Sequence, residues 1–313
     1  MSVKDQGRRL RADLALALVT CFWGVTFVTV KSAVSNVSVF LFLALRFVLA
    51  AAILGALHFR ALPQLRRSDL LAGARLGLFM FLGYAFQTSG LVYTTPAKSA
   101  FLTGSCVVFV PVLLALFWRG RLGLWTCASS AVALAGLFLL TVPGGPAWTL
   151  QPGDLLTLIG AVLFAVHIIL AGKYTSAHPL VALSFLQCAT TALLAVAFCG
   201  LGAASGWQPL RFVPGWASYS GVVITAVFAT AAGFTIQLWA QRYTPPSHAA
   251  VLFTLEPVFA AITSYVVMGE RLGRRSLVGA ALIGAAILVA ELKGPGPAAA
   301  ESPQPVTSRE SST

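Results

Sequence analysis

Ten apolar runs, most of them long enough to cross a bilayer, dominate the chain and leave few folds open to it. They lie at roughly 14–31, 38–58, 70–92, 97–118, 124–142, 154–172, 179–202, 215–239, 247–268 and 275–292. A helix needs about 20 apolar residues to span the hydrocarbon core, and only helices or closed barrels satisfy their backbone groups there. Runs of this length predict helices, because membrane strands need only about 10 residues. Only 10% of the residues are charged, against about 25% in soluble domains.

The net charge of +12 is spread through short connections between the runs. That distribution fits the positive-inside pattern rather than a basic face for nucleic acid. With the N-terminus inside, Lys4, Arg8, Arg9, Arg11, Arg60, Arg66, Arg67, Arg119, Arg121, Lys173, Arg242, Lys293 and Arg309 fall on the cytoplasmic side. Lys31, Lys98, Arg211, Arg271, Arg274 and Arg275 fall outside. The imbalance comes from the first half, while the second half is even. It places both termini in the cytoplasm. Residues 1–13 then form a cytoplasmic N-terminal segment, with no cleavable signal peptide. Residues 293–313, rich in Gly, Pro, Ala and Ser, read as a disordered tail. The five cysteines, Cys21, Cys106, Cys127, Cys188 and Cys199, sit inside apolar runs without metal-ligand spacing and read as packing residues.

An internal duplication sets the architecture. A shift of 150 brings Gly83 onto Gly233, Gln87 onto Gln237, Tyr93-Thr94 onto Tyr243-Thr244, Pro96 onto Pro246 and Arg121-Leu122-Gly123 onto Arg271-Leu272-Gly273. Upstream, a shift of 141 or 142 brings Asp13 onto Asp154 and Lys31 onto Lys173. Each unit, 14–142 and 154–292, holds five spans. An odd number of crossings turns the second unit upside down. The fold class is therefore an all-α integral membrane protein of ten transmembrane helices, arranged as two inverted five-helix repeats with a site expected between the halves.

Polar residues inside the runs are the candidates for chemistry, because polar groups at membrane depth are costly. Glu256 sits mid-run beside Pro257, on one helical face with His248, Leu252 and Ala260. It would bind a proton or a cationic group, or lock its helix against Arg46. Arg46 lies about 13 Å deep at 1.5 Å per residue. It would anchor an anionic group, or pair structurally with Glu256 or a carbonyl. Gln187 is its approximate counterpart. Gln87 and Gln237 follow Gly83 and Gly233 in matched Gly-x-x-x-Gln steps and offer neutral hydrogen bonds. Tyr84 shares a face with Gln87, and Thr26 shares one with Trp23. His167 is mid-run. Lys98 would draw an anion into the outer vestibule or snorkel at the interface.

Pro111 and Pro257 predict helix kinks displaced by about one turn between the halves. Spans 1–4 and 6–9 would line the pathway. The fifth and tenth carry small residues, Ala131/Ala135 and Ala280/Gly284, suited to packing between halves or between subunits, so a homodimer is one arrangement they allow. Metal, nucleotide and nucleophile motifs are absent, and no cofactor is called for.

Over about 10–292 the chain resembles the EamA-like ten-helix permeases of the drug/metabolite transporter superfamily. The residues that carry the resemblance are the paired five-helix units, Phe22-Trp23-Gly24, Leu45-Arg46-Phe47, Pro111, and Glu256-Pro257 with Gly269-Glu270-Arg271. At the position of Gly269-Glu270 the first half has Arg119-Gly120 instead. The resemblance implies an inner-membrane carrier, often an exporter of amino acids or other small metabolites. The expectation is thus a secondary transporter in a bacterial-type plasma membrane. Its partners would be a small-molecule substrate, zwitterionic to suit Arg46 and Glu256 together, and the lipid bilayer. A membrane scaffold whose buried polar groups only hold helices together is the rival.

Overall fold

A computed structural model describes residues 3–118, 122–142, 151–268 and 273–293. Gly269-Glu270-Arg271, Arg119-Gly120, the Pro143–Pro146 turn and the tail from Gly294 lie outside these residues. The described chain is helical: α1 (Val3–Val34), α2 (Val39–His58), α3 (Arg67–Tyr93), α4 (Pro96–Gly104), α5 (Cys106–Trp118), α6 (Leu124–Thr141), α7 (Pro152–Thr175), α8 (Leu180–Ser205), α9 (Trp216–Ile224), a π-helical segment Thr225–Ala232, α10 (Gly233–Ala240), α11 (Pro246–Phe253), α12 (Leu255–Met268) and α13 (Arg274–Lys293). Among the described residues, nine helical stretches are long and apolar enough to cross a membrane. The pair α11–α12 completes the ten spans expected.

Four features depart from the sequence reading. First, α1 begins at Val3, so most of the polar N-terminal segment continues the first span as helix. Second, the fourth and ninth spans are interrupted at Ser105 and Thr254 rather than displaced by a turn. Ser105 Oγ donates to the Leu102 carbonyl at 2.5 Å, and Thr254 Oγ1 donates to that of Val251 at 2.6 Å. Such back-bonding diverts carbonyls from the helical ladder and bends the helix. Pro257 follows its break within the first turn of α12, where its missing N–H costs little. Pro111 lies further on, inside α5, and does not mark the interruption.

Third, the eighth span contains the π-helical segment, with no matching segment in α3, its repeat partner. Fourth, Ala131 and Ala135 are exposed. The crossing of α6 with α13 runs instead through Gly136 and Gly279. A Cβ on Gly136 would stand 2.7 Å from the Gly279 carbonyl oxygen, and one on Gly279 would stand 2.6 Å from that of Gly136.

The two halves clasp each other. α3 packs on α7 and α8, α2 on α8, and α1 on α10 and α12. Gly24 lets α1 approach α12 closely: a Cβ there would stand 2.9 Å from the Ala260 amide nitrogen. The matched glycines of the repeat make room for rings from the opposite half. Gly83 lies against Phe164, and Gly233 lies against Trp23.

Gly136→Leu should lower the thermal midpoint of detergent-solubilised protein, by an amount equivalent to about 1–3 kcal/mol of overpacking. Gly200→Leu, on an open face with nothing within 4 Å of a Cβ, should not lower it. Equal midpoints for the two variants would show that the α6–α13 contact is not tight.

Candidate functional site

Between the halves lies a cavity of about 80 Å³. Of the sequence candidates, Trp23, Thr26, Arg46, Tyr84, Gln87, His167, Gln237 and Glu256 line it. They are joined by Thr103, Cys106, Phe164, Phe234 and Phe253, among others. The walls come from α1 to α5 in the first half and from α7, α10, α11 and α12 in the second. The seventh span, α8, stands behind and contributes none of the lining, contrary to the expectation for spans 1–4 and 6–9.

Arg46 is 2% exposed. Its Nε donates to Thr230 Oγ1 at 2.7 Å, and its Nη2 donates to the Tyr84 hydroxyl at 3.1 Å. The guanidinium carbon sits 4.4 Å from the centre of the Tyr84 ring, a cation–π arrangement. These contacts use two of the five N–H donors of a guanidinium. The expected structural pair of Arg46 with Glu256 does not form: among the described residues, no carboxylate lies within 4.0 Å of Arg46. The neutral hydroxyls of Thr230 and Tyr84 take the place of that partner.

Thr230 belongs to the π-helical segment, as does Ala229, whose carbonyl accepts from Trp23 Nε1 at 2.9 Å. The irregular turn thus presents one hydroxyl and one carbonyl to the two first-half residues at the cavity. Short π-helical stretches occur often at functional sites for this reason.

Glu256 lines the cavity from the start of α12, without a hydrogen bond or ion pair to any other described residue. The break at Thr254 separates it from His248, so the face they share in sequence does not persist. His248, two residues into α11, sits at the end of the bundle that holds the N-terminus, against Asp13 and Glu291. Around the cavity, Trp23, Tyr84, Phe164, Phe234 and Phe253 form a wall of ring contacts, with centroids 5.0–6.0 Å apart, the spacing of offset and edge-to-face pairs.

The glutamines differ in their commitments. Gln87 Nε2 donates to Thr103 Oγ1 at 2.8 Å. Gln237 Nε2 donates to Gln241 Oε1 at 3.0 Å, and Gln241 Nε2 donates to the Ile168 carbonyl. The buried Gln237 Oε1 has no hydrogen-bond partner among the described residues. Gln187 does not reach the cavity. It is fully buried, and its Oε1 is 3.0 Å from His167 Nε2. His167 Nδ1 and Gln187 Nε2 have no partner among the described residues.

Lys98 is not in the lining either. Its Nζ lies 2.7 Å from Asp154 Oδ2, so a partly buried ion pair replaces the anion-drawing or snorkelling lysine expected from the sequence. Asp154 also accepts from Thr94 Oγ1 at 2.6 Å. At the other end of the bundle, Asp13 Oδ1 accepts from Thr244 Oγ1 at 2.7 Å. Beside it, Arg9, His248 and Glu291 form a cluster, with His248 Nε2 3.2 Å from Glu291 Oε2 and Arg9 Nη2 3.5 Å from the same oxygen. Asp13, His248 and Glu291 lie close enough to share an ion. The Arg9 guanidinium already stands among them as the cation, which makes this an internal ion cluster. In the sequence, Asp13 and Asp154 mark the repeat. Their common position one shift apart, in apolar helices, was the available sign of a role.

The pattern of the EamA-like transporter family matches residues 10–142 and 151–291, one match in each half. A protein of Archaeoglobus fulgidus described as an uncharacterized transporter is 33% identical over 296 residues, covering 93% of this chain and 91% of its own. YetK of Bacillus subtilis, also described as an uncharacterized transporter, is 25% identical over 91% of this chain and 88% of its own. A solved crystal structure superposes with a TM-score of 0.71 over 90% of this chain and 96% of its own, at 20% identity, and shares the fold. The chain belongs to the EamA-like transporter family and is a multi-pass membrane permease, not an enzyme.

Proposed function

We propose that the chain is a secondary transporter whose two units, 14–142 and 154–292, rock about the central cavity and open it to each side in turn. The substrate is a small zwitterion with an apolar body, such as an amino acid. Transport is outward across a bacterial-type plasma membrane, with both termini in the cytoplasm. The observation that carries this reading is the presence in one cavity of two ionisable side chains, Arg46 and Glu256, that make no ion pair with any other described residue. Arg46 meets only hydroxyls and rings, and the Glu256 carboxylate meets no other described residue. A buried charge without a partner is costly. A zwitterion would satisfy both charges at once, while the surrounding rings would take its apolar body. The orientation rests on the positive-inside count, and the outward direction on the family resemblance.

This reading is favoured over the scaffold alternative, because a scaffold has no use for a cavity onto which two ionisable groups open without ion-pair partners. In a thermal-shift screen of purified protein against amino acids, a substrate at 100 times its Kd should stabilise by about 2.7 kcal/mol. A screen with no rise for any zwitterion would sink the substrate class. In proteoliposomes loaded with the hit, Glu256→Gln should reduce flux at least about tenfold, the scale of one lost charge-assisted bond, with insertion unchanged. Unaltered flux would remove Glu256 from the mechanism. Arg46→Lys keeps the charge but loses the planar fork. It should weaken the ligand-induced shift more than it lowers the ligand-free midpoint, and the reverse order would make Arg46 structural.

A further inference from the structure

The repeat operator relates two polar contacts at opposite ends of the bundle. At the end holding the N-terminus, Asp13 of α1 accepts from Thr244 at 2.7 Å and lies 3.8 Å from His248, two residues beside the start of α11. At the other end, Asp154 of α7 accepts from Thr94 at 2.6 Å and pairs with Lys98 at 2.7 Å, two residues beside the start of α4. Thr244 and His248 stand 150 positions after Thr94 and Lys98, and Asp154 stands 141 after Asp13. In each contact the carboxylate comes from the first span of one half. The hydroxyl and the basic residue come from the loop and broken helix of the other half. All four of Asp13, Asp154, Thr94 and Thr244 are buried.

We infer that these two crossed contacts are the gate latches of the transporter, Asp13 with Thr244 and His248 closing the end that holds the N-terminus, and Asp154 with Thr94 and Lys98 closing the opposite end. The inference rests on the alternating-access reading above.

Three physical points support it. First, each latch joins elements of different halves, so it must break when the halves separate at that end. Second, the cavity lies between the two latches, and neither aspartate lines it, so their bonds are not used on substrate. Third, the hydroxyl and basic partners of each carboxylate lie in the other half and hold only while the helices stay together, whereas the Gln151 N–H, from which Asp154 also accepts at 2.9 Å, stays with its own helix. Opening the end replaces those partners with water, which can solvate all of them. The contact is therefore favourable closed and tolerable open, as a reversible gate requires.

The first latch is also the more heavily built. Arg9 lies 3.8 Å from Asp13, and Glu291 of α13 lies 3.2 Å from His248, so the tenth span is tied into it. No equivalent of Glu291 joins Asp154 among the described residues. The two ends are thus held by related but unequal contacts, and their difference biases which side opens.

Cys106 supplies a reporter, because it lines the cavity. The background carries Cys21, Cys127 and Cys199 as Ala and keeps the fully buried Cys188, with Cys106→Ala as the blank. Vesicles of known sidedness, read from protease access to an epitope appended at the C-terminus, are treated with a membrane-impermeant maleimide. Asp13→Asn should raise labelling of Cys106 from the side that holds the N-terminus about tenfold and lower it from the other side. Asp154→Asn should do the opposite. The milder Thr244→Val and Thr94→Val should move labelling in the same two directions, which guards against a variant that fails to fold. Labelling that changes equally from both sides, or does not change, overturns the latch assignment. If labelling of the unsubstituted background shows no dependence on side and none on the bound hit from the screen, the alternating-access reading itself fails.

Discussion

A polar group in the interior of this bundle has no bulk water to fall back on, and that constraint shapes the fold. A buried donor or acceptor left without a protein partner is costly there. Side-chain hydroxyls meet this demand locally by bonding carbonyls three or four residues back, as in Thr191 and Thr225. Several charged groups need more than local partners. They reach across the boundary between halves, as Arg46 does to Thr230, Asp13 to Thr244 and Asp154 to Thr94 and Lys98. Apolar packing between spans gains little against lipid, which is as apolar as the side chains themselves. The costly polar groups therefore fix how the two halves are registered.

The same constraint separates the groups that hold the structure from those free to act. Lys31 is spent on the carbonyls of Leu91, Val92 and Thr94 at the end of α3, a cation at a helix C-terminus. Gln241 is spent on Ile168. Among the described residues, Glu256 and the Oε1 of Gln237 have no hydrogen-bond partner, and both residues line the cavity. Departures from regular helix occur in the same region. The interruptions at Ser105 and Thr254 adjoin the lining residues Gly104, Cys106 and Phe253, and the π-helical segment supplies Thr230 and the Ala229 carbonyl to Arg46 and Trp23.

Much of this was legible in the sequence because it follows from periodicity and register. The runs gave the spans, and the 150-residue shift gave the inverted halves. Intramembrane Arg46, Gln87, Gln237 and Glu256 pointed to the cavity because apolar helices rarely carry such groups. What was not legible depends on which residue meets which across the halves. Lys98 reads as a free interface lysine until Asp154, 56 positions away, is brought against it. The partner of Asp13 is 231 positions away. Proline suggested the kinks, yet serine and threonine back-bonding sets the interruptions, because a proline within the first turn of a new helix disturbs it little. Gln187 looked like a lining residue by register, but a neighbouring histidine had claimed its carbonyl oxygen.

The unbroken course of α1 from Val3 to Val34 has a consequence for anyone handling this protein. The rod carries Arg9 and Asp13 near one end, Trp23 at the cavity and Lys31 near the other. The distance from Asp13 to Lys31 is about 27 Å at 1.5 Å per residue. A stiff rod with contacts at three depths acts as a lever, so a tilt imposed at its first turns is delivered to the Trp23 ring. A fusion partner or purification handle placed directly before Val3 is therefore mechanically connected to the transport cavity. The far terminus is the better place for a handle.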